Sequence, residues 1–113
     1  MLFRSSAFVF STYLGGIYDD EGYGIAIDQA NNIYVTGAAS IDFPTTAGAY
    51  NTERPGAFVT KMNAQGTDLV FSTYLPGGTD PNYSHFTYGI DIAVDDAKNI
   101  IIFGGTISSA ELG

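Results

Sequence analysis

Residues 10–16 read FSTYLGG, and residues 71–78 read FSTYLPGG, 61 positions later. A recurrence on that scale marks a chain built from stacked supersecondary units. A second pair extends the pattern: 26–37 (AIDQANNIYVTG) returns as 93–104 (AVDDAKNIIIFG), offset by 67. The stretch before the first copy (SSAFVFSTYLGG) follows the form of the later GTDLVFSTYLPGG. The N-terminus therefore reads as the interior of a repeat. Residues 1–10 (MLFRSSAFVF) have no continuous apolar core and no clean cleavage site, so they make a poor signal peptide.

The strands follow from alternation and turn residues. In 8–14, Phe8, Phe10, Thr12 and Leu14 share one face, and Val9, Ser11 and Tyr13 the other. Both faces carry bulk, as in a strand between packed layers. Gly15 and Gly16 end it, and 17–21 (IYDDE) is a polar loop. In 22–28 (GYGIAID), Tyr23, Ile25 and Ile27 share one face, while Gly22, Gly24 and Ala26 leave the other nearly bare. Another backbone can approach closely there. The turn QANN leads into a second strand, 33–36, closed by Gly37. Residues 38–56 form the longest irregular segment, broken by Pro44 and Pro55, with room for a short helical turn near 45–50 or for a cover over a neighbour. A third strand (57–62), the turn NAQGTD and a fourth strand (69–75) complete a four-stranded unit. A longer polar loop (79–87) precedes the returning glycine strand, in which IDIAVD carries two residues beyond IAID, read as a bulge or a longer strand.

Sequential short strands with tight turns make an antiparallel meander, and meanders set radially make a β-propeller. The expected class is all-β, with four-stranded antiparallel meander repeats of propeller type; a β-sandwich is the alternative, but it needs no repeat. Counting strands outward from the axis divides the chain into 1–16, the outer strand of a preceding blade; 17–78, one complete blade; and 79–113, the first two strands of a following blade. A wheel of about four blades at this repeat length needs roughly 240 residues or more. The 113 residues therefore read as an incomplete propeller fragment, with sheet edges at 8–14 and 100–103 left open to association.

The blocks FSTYLGG, DDEGYGIAID, NNIYVTG, DFPTTAGAY and AFVTKMNAQGTDLVFSTYL closely resemble the SBBP family, a bacterial and archaeal β-propeller repeat. The resemblance implies a propeller blade, a setting in large secreted or cell-envelope proteins, and no catalytic motif. It implies that DFPTT and GAY, within 42–50, form the excursion between strands typical of these blades. The second copy departs from the pattern: the acidic loop is replaced by DPNYSHFTYG, and NIYVTG becomes NIIIFG.

Bulk composition narrows the functions. With 12 acidic and 4 basic residues, the formal charge of −8 repels phosphate backbones and anionic membranes, so nucleic acid is not an expected partner. Cysteine is absent, which removes disulfides, thiolate nucleophiles and cysteine–zinc clusters. No apolar run is long enough for a transmembrane helix, and no membrane insertion is expected. Asp19, Asp20 and Glu21 are the one candidate calcium group, but they lack D-x-D-x-D-G spacing and read better as a solvated loop. His85, the sole histidine, reads as an ordinary loop residue with no nucleophile or carboxylate spaced to use it. Tyr13 and Tyr74 occupy equivalent repeat positions and read as packing between blades, while Tyr18, Tyr83 and His85 are the loop candidates for binding. Asn82-Tyr83-Ser84 fits the N-glycosylation triplet and, by itself, says nothing. No catalytic, cofactor or metal residue is assigned. The leading expectation is a non-catalytic segment of a secreted or surface propeller, partnered by adjacent blades and holding its strand-end loops to a glycan or protein. The alternatives are part of a propeller enzyme acting on glycans and a spacer in a long repeat array.

Overall fold

A computed structural model describes residues 11–53, 55–75 and 85–108. Six strands follow in order: β1 (Asp20–Ile27), β2 (Ile33–Ala39), β3 (Gly56–Met62), β4 (Leu69–Leu75), β5 (His85–Val94) and β6 (Ile100–Ser108). They form a four-stranded sheet, β1-β2-β3-β4, and a two-stranded sheet, β5-β6, with antiparallel pairing throughout. The described residues are all-β, two short antiparallel sheets of the kind a propeller repeat supplies, and among these residues they do not close into a wheel.

The two hairpins β1-β2 and β5-β6 share one design. Gly22 pairs with Gly37 and Gly24 with Thr36; 67 residues on, Gly89 pairs with Gly104 and Asp91 with Phe103. Each first strand bulges once, at Tyr23 and at Ile90. From the first paired glycine to the turn aspartate (22–28 and 89–95) the two copies therefore have equal length, with Gly22 corresponding to Gly89 and Gly24 to Asp91, so IDIAVD carries no inserted residues. β5 is the longer strand, 10 residues against 8, at its start, where His85 and Phe86 pair with Ser108 and Ile107. The bulge also corrects the bare face, because it turns Gly22 towards Val35 and leaves Gly24 and Ala26 on the opposite side. The turns match too. Asp28 N–H donates to Asn32 O at 3.1 Å and Asp95 N–H to Asn99 O at 3.0 Å, with Asn31 and Lys98 both at φ 66°. Asn suits that left-handed position; Lys does not.

The bare side of β1 meets β5. A methyl group at Gly24 would stand 3.0 Å from Asp91 Cα and 3.2 Å from Ile90 O, and one at Gly89 would collide with Thr36 Oγ1. This approach lets Ile92 pack with Tyr34 and Val59, flanked by Ala26, Phe71 and Leu75 of the first sheet and Val94, Ile100 and Ile102 of the second. Thr87 in β5 ties the sheets at their edge: its hydroxyl donates to Leu75 O at 2.6 Å and accepts from Ala57 N at 2.9 Å. Gln29 and Asp96, equivalent residues of the two turns, bond at 3.2 Å.

Residues 38–56 cover the opposite face of the first sheet. Phe43 is buried with Ala39, Phe58 and Tyr74, and its ring centroid lies 4.3 Å from that of Phe58. The same segment seals the outer edge of β4. Thr46 N donates to Ser72 O at 3.0 Å, Ser72 N to Thr46 Oγ1 at 2.9 Å, and Tyr74 N to Asn51 O at 3.0 Å. Among its described residues no helix forms; the stretch expected to hold a helical turn makes a turn at 46–49, closed by Ala49 N to Thr46 O at 3.1 Å. It serves its own sheet, since an edge strand left open would recruit another chain.

Several boundaries shift from expectation, and β6 runs on to Ser108. β1 starts at Asp20 and β2 runs past Gly37 to Ala39, because Asp20 and Glu21 pair with Ala39 and Ala38. β5 starts at His85, inside the expected loop. Residues 11–14, the described part of the first expected outer strand, have no regular structure. Their copy in β4 pairs with β3; residues 11–14 have no such ladder, and an extended segment without one gains little. Gly89→Ala is expected to lower stability by about 1–3 kcal/mol through overpacking against Thr36, read from the urea midpoint.

Candidate functional site

The ends of β1 and β2 carry most of the chemistry singled out above. Asp20, the first residue of β1, is a clasp. Its carboxylate accepts from Gly16 N at 2.9 Å and from Ser40 N at 2.9 Å, joining the incoming loop to the end of β2. Ser40 Oγ donates to Asp19 O at 2.6 Å and closes the same junction from the other side. Gly16 has no room for a side chain, because its Cβ would meet the Asp42 carbonyl. Asp20 is thus committed to holding backbone. Among the described residues, no group of three His, Cys, Asp or Glu side chains is arranged around a common point for a metal.

A cleft of about 430 Å³ opens beside this clasp, between the two sheets. Asp19, Glu21, Tyr23, Ala38, Ala39, Ser40 and Tyr88 line it. Its walls are three small residues and two phenol rings; its rim is acidic. A hydrogen bond to Glu21, then loss of solvent and the Glu21 charge, hold the Tyr23 phenol above its ordinary range. Aromatic faces beside carboxylates can stack on a sugar ring and accept its hydroxyls, or receive a cationic side chain. The position of the cleft follows from the fold: Tyr88 comes from β5 and the other residues from the first unit, so stacking of the sheets creates it.

Residues 9–44 match the family model of the SBBP beta-propeller repeat. No curated protein and no solved structure matches the chain. The SBBP match spans β1, β2 and Phe43, and so includes the clasp and most of the cleft, but not Tyr88.

The tyrosines divide differently from expectation. Tyr74 is buried, but within its own sheet: its hydroxyl donates to Ser40 O at 2.7 Å and accepts from Phe43 N at 3.1 Å. Tyr13, its sequence equivalent, is fully exposed. The tyrosine that packs between sheets is Tyr34, and its hydroxyl donates to Asp28 at 2.9 Å. Tyr18 is exposed near the clasp. His85 opens β5, and Tyr83 and the Asn82 triplet lie outside the described residues. Tyr23 and Tyr88, the two rings of the cleft, stood in the sequence only as two of many tyrosines. The signal that could have found them is register, since Tyr88 falls at the position of Glu21, 67 residues on.

Asp28 anchors the turn beneath. It accepts from Ala30 N and Asn32 N at 2.9 Å each, from Tyr34 Oη at 2.9 Å and from Asn32 Nδ2 at 3.1 Å. Desolvation pushes its pKa up, but the bonds from Asn32, Tyr34 and Ala30 outweigh this and hold it at about 2, against an ordinary 3.8. Asp95 is held low by its bonds from the Asn99 side chain and backbone in the equivalent turn. A folded pKa below the unfolded one gives stability that is present above the unfolded value and lost as pH falls through the folded one. The stability of the native chain is therefore expected to drop between about pH 4 and pH 2. In Asp28→Asn, part of that drop disappears, because the variant has already lost it at neutral pH; urea melts across that pH range measure both.

Proposed function

We propose that this chain is a non-catalytic segment of a β-propeller in a secreted or cell-surface protein, with its strand-end loops held out to a glycan or a protein. On this reading, residues 17–78 form one blade and 79–113 begin the next. One observation carries it: the second hairpin repeats the first in register and stacks on it face to face, with Ile92 of one copy buried against Tyr34 and Val59 of the other. Such stacking is how a repeat protein builds a rigid frame whose loops are free to vary. The SBBP match over residues 9–44 supports the architecture. The secreted setting rests on the resemblance to that family.

The hydrogen bonding of several side chains supports this reading. Asp20 and Asp28 hold backbone amides, and Thr60 Oγ1 meets Ser72 Oγ at 2.7 Å while Ser72 donates to Pro44 O at 2.6 Å. On this reading the cleft lined by Tyr23 and Tyr88 is the candidate surface for a ligand. The test uses the full parent protein against immobilised polysaccharides and extracellular proteins, with product analysis on the same polysaccharides. Retention on at least one ligand is expected, reduced at least tenfold by Tyr23→Ala with Tyr88→Ala, with no shortened or unsaturated product. Retention that survives the double substitution would move the ligand elsewhere. Turnover would replace this reading with a glycan-acting enzyme, and no retention at all would reduce the chain to a spacer.

A further inference from the structure

The cleft between the sheets is one-sided in the side-chain groups it offers. Ser40 gives both its donors to the clasp, its N–H to Asp20 at 2.9 Å and its hydroxyl to Asp19 O at 2.6 Å. Ala38 and Ala39 lie in β2 and are paired on both sides, with Glu21 and Asp20 in β1 and with Ala57 and Gly56 in β3. Tyr23 turns its phenol proton to Glu21. Facing a ligand are therefore the exposed carboxylates of Asp19 and Glu21 and the rings of Tyr23 and Tyr88, with the Tyr88 hydroxyl as the remaining donor among the described lining side chains. None of the described lining residues is basic. Strand pairing does not require these two carboxylates. In the second hairpin, 67 residues on, the places of Asp19 and Glu21 hold Phe86 and Tyr88, and the ladder continues. Between them Asp20 is matched by Thr87, which likewise accepts from a backbone N–H across a strand end. The fold thus uses a polar group at 20 but needs no charge at 19 or 21.

We propose that this cleft receives an arginine side chain from a basic segment of a partner protein, its guanidinium stacked against the Tyr23 and Tyr88 rings and hydrogen-bonded to Asp19 and Glu21. It rests on the reading of the chain as a ligand-presenting segment, and it narrows that ligand to a protein. A guanidinium carries five N–H donors and no acceptor, so it matches a surface of carboxylates and ring faces. Its flat, weakly hydrated cation also stacks on phenol rings, which a compact ammonium does less well. A neutral sugar needs donors for its own oxygens, and this cleft has few to give; an anion is repelled by the acidic rim. The formal charge of −8 is complementary to a basic partner and steers it inward over several ångströms, an attraction that salt weakens.

The test is calorimetric titration of the full-length protein, in about 0.15 M salt, with a short arginine-glycine-serine repeat peptide and with the same peptide carrying citrulline, the uncharged isostere, for arginine. The arginine peptide is expected to bind with a Kd of about 1 mM or tighter, and the citrulline peptide at least about tenfold more weakly. Tyr23→Ala with Tyr88→Ala leaves the net charge unchanged and is expected to weaken binding about fivefold or more. Asp19→Asn with Glu21→Gln is expected to weaken it about threefold or more. Glu53→Gln with Asp96→Asn removes the same charge elsewhere and is expected to leave the Kd within about twofold. Equal binding of the two peptides, unchanged binding in the tyrosine variant, or an equal loss in the Glu53 and Asp96 variant would overturn the proposal. Each variant is checked for a cooperative urea melt; a tyrosine variant that fails is replaced by Tyr23→Thr with Tyr88→Thr, since Thr keeps the strand preference. Retention of a polysaccharide through Tyr23 and Tyr88, with no binding of the arginine peptide, would overturn this inference and leave the ligand-presenting reading. Arginine binding through the cleft together with turnover of a polysaccharide would overturn the non-catalytic reading alone.

Discussion

The close approach of backbone to backbone at Gly24 and Gly89 sets the spacing on which the rest depends. With no side chain at either position, β5 can lie against β1 and β2, and Thr36 can keep its 2.7 Å bond to Phe58 O beneath Gly89. That distance brings Ile92 into the pocket between Tyr34 and Val59 and lets Thr87 reach both Leu75 and Ala57. It also brings Tyr88 beside Tyr23 to make the cleft. A methyl group at either glycine would press on the facing residues, Asp91 and Ile90 at Gly24 and Thr36 at Gly89.

The polar groups that stacking buries are bonded in compact local circuits. Tyr34 reaches Asp28, which also holds its own turn. Tyr74 bonds Ser40 and Phe43, and the Thr60–Ser72 pair passes on to Pro44. These circuits fasten the irregular segment 38–56 to the sheet and allow a small unit with few charges to bury hydroxyls without leaving them unpaired. They also explain the low pKa of Asp28: its carboxylate is a structural acceptor of four hydrogen bonds.

Much of this was legible in the sequence, because it rests on local signals. The repeat gave the four-strand unit, the matching turns at QANN and DAKN, and the near-bare strand that invites close approach. Strand β4 falls at 69–75 as its alternation implies. What was not legible depends on long-range pairing. The bulge at Tyr23, which reverses Gly22 relative to Gly24, is visible only in the register with β2. The route of 38–56 over its own sheet depends on Phe43 finding Phe58 and Tyr74, about fifteen or more residues away along the chain. The same FSTYL letters give a strand at 71–75 and irregular backbone at 11–14, because only the later copy has β3 beside it. The cleft joins residues from two repeat copies, so no local pattern announces it.

The stacking of the two hairpins carries both the frame and the cleft, and a double-mutant cycle between Val59→Ala and Ile92→Ala tests it most directly. The two residues lie on different sheets and share one buried cluster. A coupling energy of about 0.5 kcal/mol or more in urea unfolding is expected for residues that share a cluster. Additivity of the two substitutions to within a few tenths of a kcal/mol would contradict the stacked arrangement.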